Sequence, residues 1–410
     1  MRTLKLCLVG LVMLGGCTGA PRRAAPPTVL NGAAPDGFPR SVRLVTTDLA
    51  AFASRAPRFF ARIRKAAHGG NIDILALSGG GSEGAYGAGA LVGLARAHVR
   101  PQFELVTGVS AGALIAPFAF LGPSWDPELE AAFTADHSRL IGRSPLWRLL
   151  AQLLFPLGGD RRNPLFKMVD RYVTPQLLAA VARQTATGRQ LVIATTDLDT
   201  EETVLWNMGV IALHGGEAAR ELFRDVLVAS ASVPGVFPPI LIHVREGDKK
   251  YDELHVDGSV TTSVFTFPLV AGLSPQDLPP LYGGRLYMIV NSQLARLPSA
   301  TPINTFAVLA RSFSAGMTYK TRESIIDTVN LTNRLGMQFR LTEIPADFPG
   351  ASVVNFDPRF MRKLFAYGER CAQLGLLWIT PQQAIKRNMS ASPAAASPTA
   401  CPGATAQMVP

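Results

Sequence analysis

A serine between two glycines is the feature of this sequence best suited to covalent chemistry. Gly108, Ser110 and Gly112 form a G-x-S-x-G motif between a strand pattern at 103–107 and a helical pattern at 110–120. This setting is typical of a nucleophile elbow, because small residues permit the strained turn that lifts the serine hydroxyl above a sheet. The helix N-terminus behind the serine also stabilises negative charge. Ser110 is therefore the candidate nucleophile.

A cluster of glycines supplies a candidate site for that negative charge. Gly79, Gly80 and Gly81 follow a strand pattern at 71–78 and precede a small-residue helix at 84–98. Glycine lets the backbone turn sharply, and successive N–H groups at a helix N-terminus form an anion hole. In a parallel sheet both loops emerge at the carboxyl edge of the strands. The three glycines are expected to form an oxyanion hole beside the serine.

The same cluster permits two other interpretations. Gly79, Gly81 and Gly84 fit G-x-G-x-x-G, the fingerprint of a dinucleotide site. That site needs an acidic residue at the end of the second strand, whereas Glu104 has the spacing but lies near the start of its strand. A plain tight turn is the third possibility.

The base that would activate Ser110 is less obvious. Of the six histidines, His255 is the best placed, two residues before Asp257 on the same face of a strand pattern. Asp257 precedes a glycine at the strand end and could accept the serine proton directly. The residues leave three interpretations open: a Ser–Asp dyad, a triad through His255, or a β-turn aspartate.

Taken together, the glycine loop, the serine motif and the Asp257-Gly258 pair resemble those of the patatin-like phospholipases, over about residues 71–380. The resemblance implies a patatin-like three-layer α/β sandwich, with a mostly parallel central sheet and helices on both faces. It also implies a Ser110–Asp257 dyad that hydrolyses fatty-acyl esters of phospholipids or lysophospholipids. The expected course is an acyl-Ser110 intermediate, formed without a metal or cofactor.

Two residues depart from the family pattern. Glu83 stands where the family has Arg or Lys, so a positive side chain near the site is lost. Ser259 stands where the family usually has Gly or Ala, and we expect this change to be tolerated because the carboxylate is kept. The alternative to an active enzyme is a catalytically weak, lipid-anchored scaffold or binding lipoprotein that retains the fold.

The N-terminus predicts export. Arg2 and Lys5 precede an apolar stretch, 6–14, that is too short to span a bilayer and ends in small residues before Cys17. This ending resembles a bacterial lipobox, which implies that 1–16 is a lipoprotein signal peptide and that Cys17 is acylated. The expected location is the cell envelope, anchored to the outer membrane and facing the periplasm. An ordinary signal peptide with an incidental Cys17 is the alternative.

The amino-acid composition and net charge limit the classes of molecule that the protein is expected to bind. The 410-residue chain is 48% hydrophobic and 17% charged, which excludes wholesale disorder, and four cysteines are too few for a disulfide scaffold. Cys371 and Cys401 could pair in an oxidising compartment. The net charge of +10 favours an anionic partner, and export makes that partner a membrane surface rather than nucleic acid.

The predicted organisation has four parts after the signal peptide. They are a lipidated cysteine and tether (17–43), an N-terminal helical segment (44–70), a catalytic domain (71–385) and a disordered Ala/Pro/Ser tail (386–410). Within the domain, further strand patterns occur at 190–195, 203–207 and 285–291, and helical patterns at 175–187, 217–230, 318–336 and 358–379. Leucines at helical spacing in 145–157, flanked by arginines, predict either an interfacial lid or a helix buried against the domain.

Overall fold

A computed structural model describes most of the predicted catalytic domain. The described residues are 22–26, 29, 32–136, 164–266, 281–295, 300–346, 348, 353, 355–384 and 401. The predictions for the signal peptide, for Cys17, for 145–157 and for nearly all of the C-terminal tail fall outside these residues. Among the helices that are described, none is both long enough and apolar enough to cross a membrane.

The described residues contain ten strands and ten α-helices. The strands are β1 (Ala34–Pro35), β2 (Arg43–Val45), β3 (Asp73–Leu77), β4 (Leu105–Val109), β5 (Gln190–Asp197), β6 (Glu202–Asn207), β7 (Ile240–Glu246), β8 (Lys249–Asp257), β9 (Arg285–Val290) and β10 (Gln338–Glu343). The helices are α1 (Leu49–Ala66), α2 (Ala85–Arg96), α3 (Ala111–Leu121), α4 (Asp126–Thr134), α5 (Pro164–Tyr172), α6 (Pro175–Ala186), α7 (Met208–His214), α8 (Gly216–Ser230), α9 (Thr305–Leu335) and α10 (Pro358–Gln373).

These strands form one mixed sheet. Its order is β1-β7-β8-β5-β4-β3-β9-β10, with β6 also paired to β5 and β2 paired to β6. The central run β5-β4-β3-β9-β10 is parallel throughout. The other pairs are antiparallel. The predicted mostly parallel central sheet is confirmed, and the β7–β8 hairpin adds an antiparallel part that the sequence patterns did not predict.

Helices cover both faces of the sheet. Successive side chains of a strand point to opposite faces. In β3, Leu75 and Leu77 pack into a core shared with α2, α3 and α10. Ile74 and Ala76 pack into a second core with α1 and α9. The predicted three layers are therefore present, and strands buried on both faces explain the nearly continuous apolar run of β3.

Cys401, the one described residue of the predicted C-terminal tail, is fixed to the domain. Cys401 is buried and disulfide-bonded to Cys371 of α10, with Cα atoms 5.3 Å apart. This pairing settles the possibility that the sequence left open. It also corrects the prediction of a disordered tail at this one position, because a cross-link holds it against a packed helix.

Candidate active site

Strand β5 brings the ends of two other strands together. β6 occupies one side of β5, so β4 and β8 share the other side. Val109, the last residue of β4, pairs with Ala194, and Asp257, the last residue of β8, pairs with the next residue, Thr195. β4 runs parallel to β5 and β8 runs antiparallel to it, so the two strands point towards each other. Ser110 and Asp257 meet at their junction.

The two side chains form a direct hydrogen bond. The Ser110 hydroxyl donates to Asp257 Oδ2 over 2.6 Å. Ser110 has φ +54° and ψ −123°, a backbone conformation that non-glycine residues rarely adopt. This strained turn is the one that the G-x-S-x-G motif predicts between β4 and α3. The hydroxyl therefore faces its carboxylate partner at the N-terminus of a helix, where negative charge is stabilised.

The Asp257 carboxylate is fully buried and firmly oriented. Burial raises its pKa to about 6, against the opposing effects of the Ser110 hydroxyl and of both the N–H and the hydroxyl of Ser259. The Ser259 N–H donates to Oδ1 over 2.8 Å, which leaves Oδ2 facing the serine. Because desolvation disfavours the charged form, this carboxylate is a stronger base than an exposed aspartate.

Two of the three predicted oxyanion glycines keep their N–H groups available. Gly79 donates its N–H to the Ser263 carbonyl over 3.0 Å, which removes it from the predicted set of donors. The N–H groups of Gly80 and Gly81 have no acceptor among the described residues, and both glycines line a cavity together with Ser110. Gly81 has φ +56°, which favours glycine at this turn. The candidate oxyanion hole is therefore Gly80 and Gly81.

Asn291, whose role the sequence patterns did not predict, holds the glycine loop in place. Its Nδ2 donates to the Ser78 carbonyl over 2.8 Å, and its Oδ1 accepts the Gly87 N–H over 3.1 Å. Its backbone N–H donates to Ser78 Oγ over 2.8 Å. Asn291 follows β9 directly and belongs to no motif, so only the pairing of β3 with β9 reveals its role.

Ser230, at the end of α8, is a second residue that the sequence did not indicate. Its hydroxyl accepts the Ser110 N–H over 3.0 Å and donates to the Ala194 carbonyl over 2.7 Å. The nucleophile's backbone is thus tied to β5 through a buried side chain. The sequence signal was weak, since a serine at a helix end is common.

The cavity that opens onto Ser110 is lined mainly by apolar side chains. They include Leu114, Phe118, Met168, Phe237, Phe313 and Met317. Gly80, Gly81 and Ser259 add polar groups at the end occupied by the serine. An apolar pocket with a few convergent polar groups is the usual form of a small-molecule site. This cavity suits a substrate with a long apolar part and a reactive group at its end.

His255 and Glu104, the two other candidates, have structural contacts. The His255 ring is buried, with Nδ1 3.0 Å from Thr195 Oγ1 and Nε2 3.2 Å from Glu253 Oε2. Both ring nitrogens are thus engaged away from Ser110, and the Ser110 hydroxyl bonds to Asp257 instead. Glu104 accepts the Asp73 N–H over 2.6 Å at the start of β4, so it joins two strands rather than facing the glycine loop.

A group of buried residues near β8 has the composition of a metal site. One ligand atom each from Asp197, Glu253 and His255 lies within 4.8 Å of the others. The Arg43 guanidinium already donates to both oxygens of Glu253. Although burial raises the pKa of Glu253, Arg43 and His255 outweigh it and lower the pKa to about 2. Arg43 and His255 both contact Glu253, so the group includes a buried hydrogen-bonded network beside the end of β8, the strand that presents Asp257.

Comparison with known proteins places this geometry in a family. Residues 75–270 match the family described as patatin-like phospholipase, a span that includes the glycine loop, Ser110 and Asp257. No curated protein matches the chain. Among solved structures, VipD from Legionella pneumophila aligns with a TM-score of 0.36 and 11% identity, over 78% of this chain and 67% of VipD. Residues 75–270 of the chain thus match the patatin-like phospholipase family, a family of lipid acyl hydrolases.

Proposed function

We propose that this protein is a serine acyl-hydrolase that cleaves fatty-acyl esters of phospholipids or lysophospholipids. The observation that carries the proposal is the 2.6 Å hydrogen bond from Ser110, which lines an apolar cavity, to the buried Asp257. An acyl chain fits walls of leucine, phenylalanine and methionine. The ester carbonyl then lies at the polar end, next to the serine and the glycine loop.

In the first step, Ser110 Oγ attacks the ester carbonyl carbon while its proton moves to Asp257 Oδ2. The carbonyl oxygen becomes an oxyanion, and the N–H groups of Gly80 and Gly81 stabilise it. One such donor contributes about 2.7–4 kcal/mol, so two donors supply a large part of the stabilisation. Asp257 then returns the proton to the leaving alcohol, the ester C–O bond breaks, and the acyl group remains on Ser110.

In the second step, water attacks the acyl carbon of the intermediate and gives its proton to Asp257. The bond between the acyl carbon and Ser110 Oγ breaks, and the proton returns to the serine. A free fatty acid leaves. The raised pKa of Asp257 favours both proton transfers, because a base is most effective when its pKa lies near the working pH.

The test is fatty-acid release from mixed phospholipid vesicles by the full chain purified in detergent. We expect release by the parent protein and none by Ser110→Ala or Asp257→Asn. Covalent labelling by a fluorophosphonate should require Ser110. If a folded parent protein releases no fatty acid and takes no label, the proposal is wrong and the lipid-anchored scaffold is favoured.

We also propose that the protein is a cell-envelope lipoprotein, anchored through acylated Cys17 to the outer membrane and facing the periplasm. The Cys371–Cys401 disulfide supports export, because such bonds persist in oxidising compartments. The test is incorporation of labelled palmitate in cells that express the chain, followed by membrane fractionation. Cys17→Ala should abolish both labelling and membrane association; labelling that survives this substitution would contradict the anchor.

A further inference from the structure

Ser259 carries a buried hydroxyl with no evident partner. The residue is 3% exposed, and its Oγ makes no hydrogen bond to any of the described residues. Burying a hydroxyl without a hydrogen bond is unfavourable, so such a group in a native structure needs an explanation. Ser259 also lines the cavity onto which Ser110 opens. Its hydroxyl is therefore a buried polar group at the cavity wall, and a water bound beside it would supply the partner that it lacks.

The hydroxyl lies beside both members of the dyad. A Cβ atom built on Gly79 would be 2.3 Å from Ser259 Oγ and 3.1 Å from Ser110 Cβ, so the two serines flank the same glycine. The Ser259 N–H already donates to Asp257 Oδ1 over 2.8 Å. The hydroxyl is close enough to this carboxylate to favour its ionised form, but it is not placed to hydrogen-bond with it.

The proposed reaction does not yet assign a binding position to the water that hydrolyses the acyl-Ser110 intermediate. When Ser110 is acylated, its oxygen no longer donates a proton to Asp257 Oδ2, and that oxygen is open to water. A buried water needs at least two polar partners. Asp257 Oδ2 is one, and Ser259 Oγ, an unpaired polar atom two residues along the same turn, is the candidate for the second.

We propose that the Ser259 hydroxyl and the Asp257 carboxylate together hold the water that hydrolyses the acyl-Ser110 intermediate. This inference rests on the proposed function. The water donates one proton to Asp257 Oδ2 as its oxygen bonds to the acyl carbon, and it hydrogen-bonds to Ser259 Oγ, which keeps its own proton throughout. At pH 8, well above the Asp257 pKa of about 6, Asp257 is ionised with or without this hydroxyl, and acyl transfer to Ser110 does not involve this water. Under that condition Ser259 acts on the second step alone.

The two steps can be measured separately on the full chain with a p-nitrophenyl ester. Nitrophenol release in the first turnover reports acylation, and mass spectrometry of quenched samples reports the decay of the acyl adduct. Ser259→Ala keeps the N–H that orients Asp257. We expect an unchanged first turnover and adduct decay about tenfold slower, since one hydrogen bond to a reacting group is lost. The matched control is Thr328→Val, because the Thr328 hydroxyl bonds only the Ser324 carbonyl in its own helix.

Each other outcome has a definite meaning. If both steps slow together, the hydroxyl acts in acylation and the inference is overturned; if neither changes, the hydroxyl has no part in the reaction. Because Ser259→Ala removes an unpaired hydroxyl, the thermal midpoint should not fall, and a large fall would point to a structural bond instead. A parent protein that forms no acyl adduct would refute the proposed function rather than the role of Ser259.

Discussion

Ser230 joins the backbone of the nucleophile to the strand beside it. One hydroxyl accepts the Ser110 N–H over 3.0 Å and donates to the Ala194 carbonyl over 2.7 Å, and all three groups are buried. Ser110 holds a positive φ, so its turn costs conformational energy that surrounding contacts must offset. Ser230 is one such contact. It positions the Ser110 backbone and has no hydrogen bond to Asp257, the partner of the Ser110 hydroxyl.

Ser230→Ala should weaken both the fold and the reaction. The substitution leaves two buried groups unpaired, the Ser110 N–H and the Ala194 carbonyl. Each unpaired group costs about 1–3 kcal/mol of folding free energy. We expect urea unfolding to show a loss of about 2–6 kcal/mol, the sum for the two groups, and fatty-acid release to fall about tenfold. Ser232→Ala is the control, because the Ser232 hydroxyl bonds only Val228 in the preceding helical turn. Equal losses of activity in both variants would contradict a role for Ser230 at the nucleophile.

Activity should rise with pH around the pKa of Asp257. The carboxylate must be ionised to accept the Ser110 proton, and burial raises its pKa to about 6. Below that value the protonated acid cannot act as a base, so kcat/KM should fall tenfold per pH unit on the acid side. A pH profile of kcat/KM with one ionisation is the measurement. A midpoint near 4, the ordinary value for aspartate, would show that the site is solvated during the reaction.

The same pKa predicts a stability gain in the inactive variant. Asp257 has a folded-state pKa above its unfolded value of 3.8, so its contribution to stability is complete below 3.8 and is lost as pH rises to about 6. At pH 8 the buried charge costs about 2–3 kcal/mol, which follows from a shift of roughly two units. Asp257→Asn should therefore unfold at higher urea than the parent at pH 8. At pH 4 the gain in stability of Asp257→Asn over the parent should be nearly absent. An equal gain at pH 4 and pH 8 would show that the buried Asp257 charge does not cause it.

The sequence predicted the parallel half of the site better than the antiparallel half. Gly79–81 and Ser110 follow β3 and β4, whose apolar runs and glycine-rich ends are strong local signals. The strands of the β7–β8 hairpin lack the continuous apolar run of β3 and β4. β7 alternates buried and exposed residues, and β8 begins with exposed lysines. Its pairing with β5, which brings Asp257 to Ser110, depends on contacts far apart in the chain. The resemblance to a family supplied that link, whereas local patterns did not.

The supporting residues were not predictable for the same reason. Ser230, Ser259 and Asn291 are ordinary polar residues at the ends of a helix or strand, and their roles depend on which element lies next to them. The hydrogen bond from the Gly79 N–H to the Ser263 carbonyl likewise depends on a loop that is distant in the sequence. Sequence patterns gave the reacting groups, and tertiary packing decided which donors remain available.

Asn291 offers a test of whether the glycine loop depends on its neighbouring strand. Asn291→Ala removes the donor to the Ser78 carbonyl and the acceptor of the Gly87 N–H, both buried. Because these bonds fix the loop that carries Gly80 and Gly81, we expect fluorophosphonate labelling of Ser110 to slow at least tenfold, with a stability loss of about 1–3 kcal/mol.

A variant that loses only stability separates the two effects of Asn291→Ala. Asn304 caps α9 by accepting the Ala307 N–H over 2.9 Å at an exposed position, so Asn304→Ala should cost about 1 kcal/mol and leave labelling unchanged. Asn291→Asp retains an acceptor for Gly87 but cannot donate to Ser78, and it should be slow as well. If Asn304→Ala slows labelling as much as Asn291→Ala, lowered stability explains the loss and Asn291 does not position the oxyanion loop.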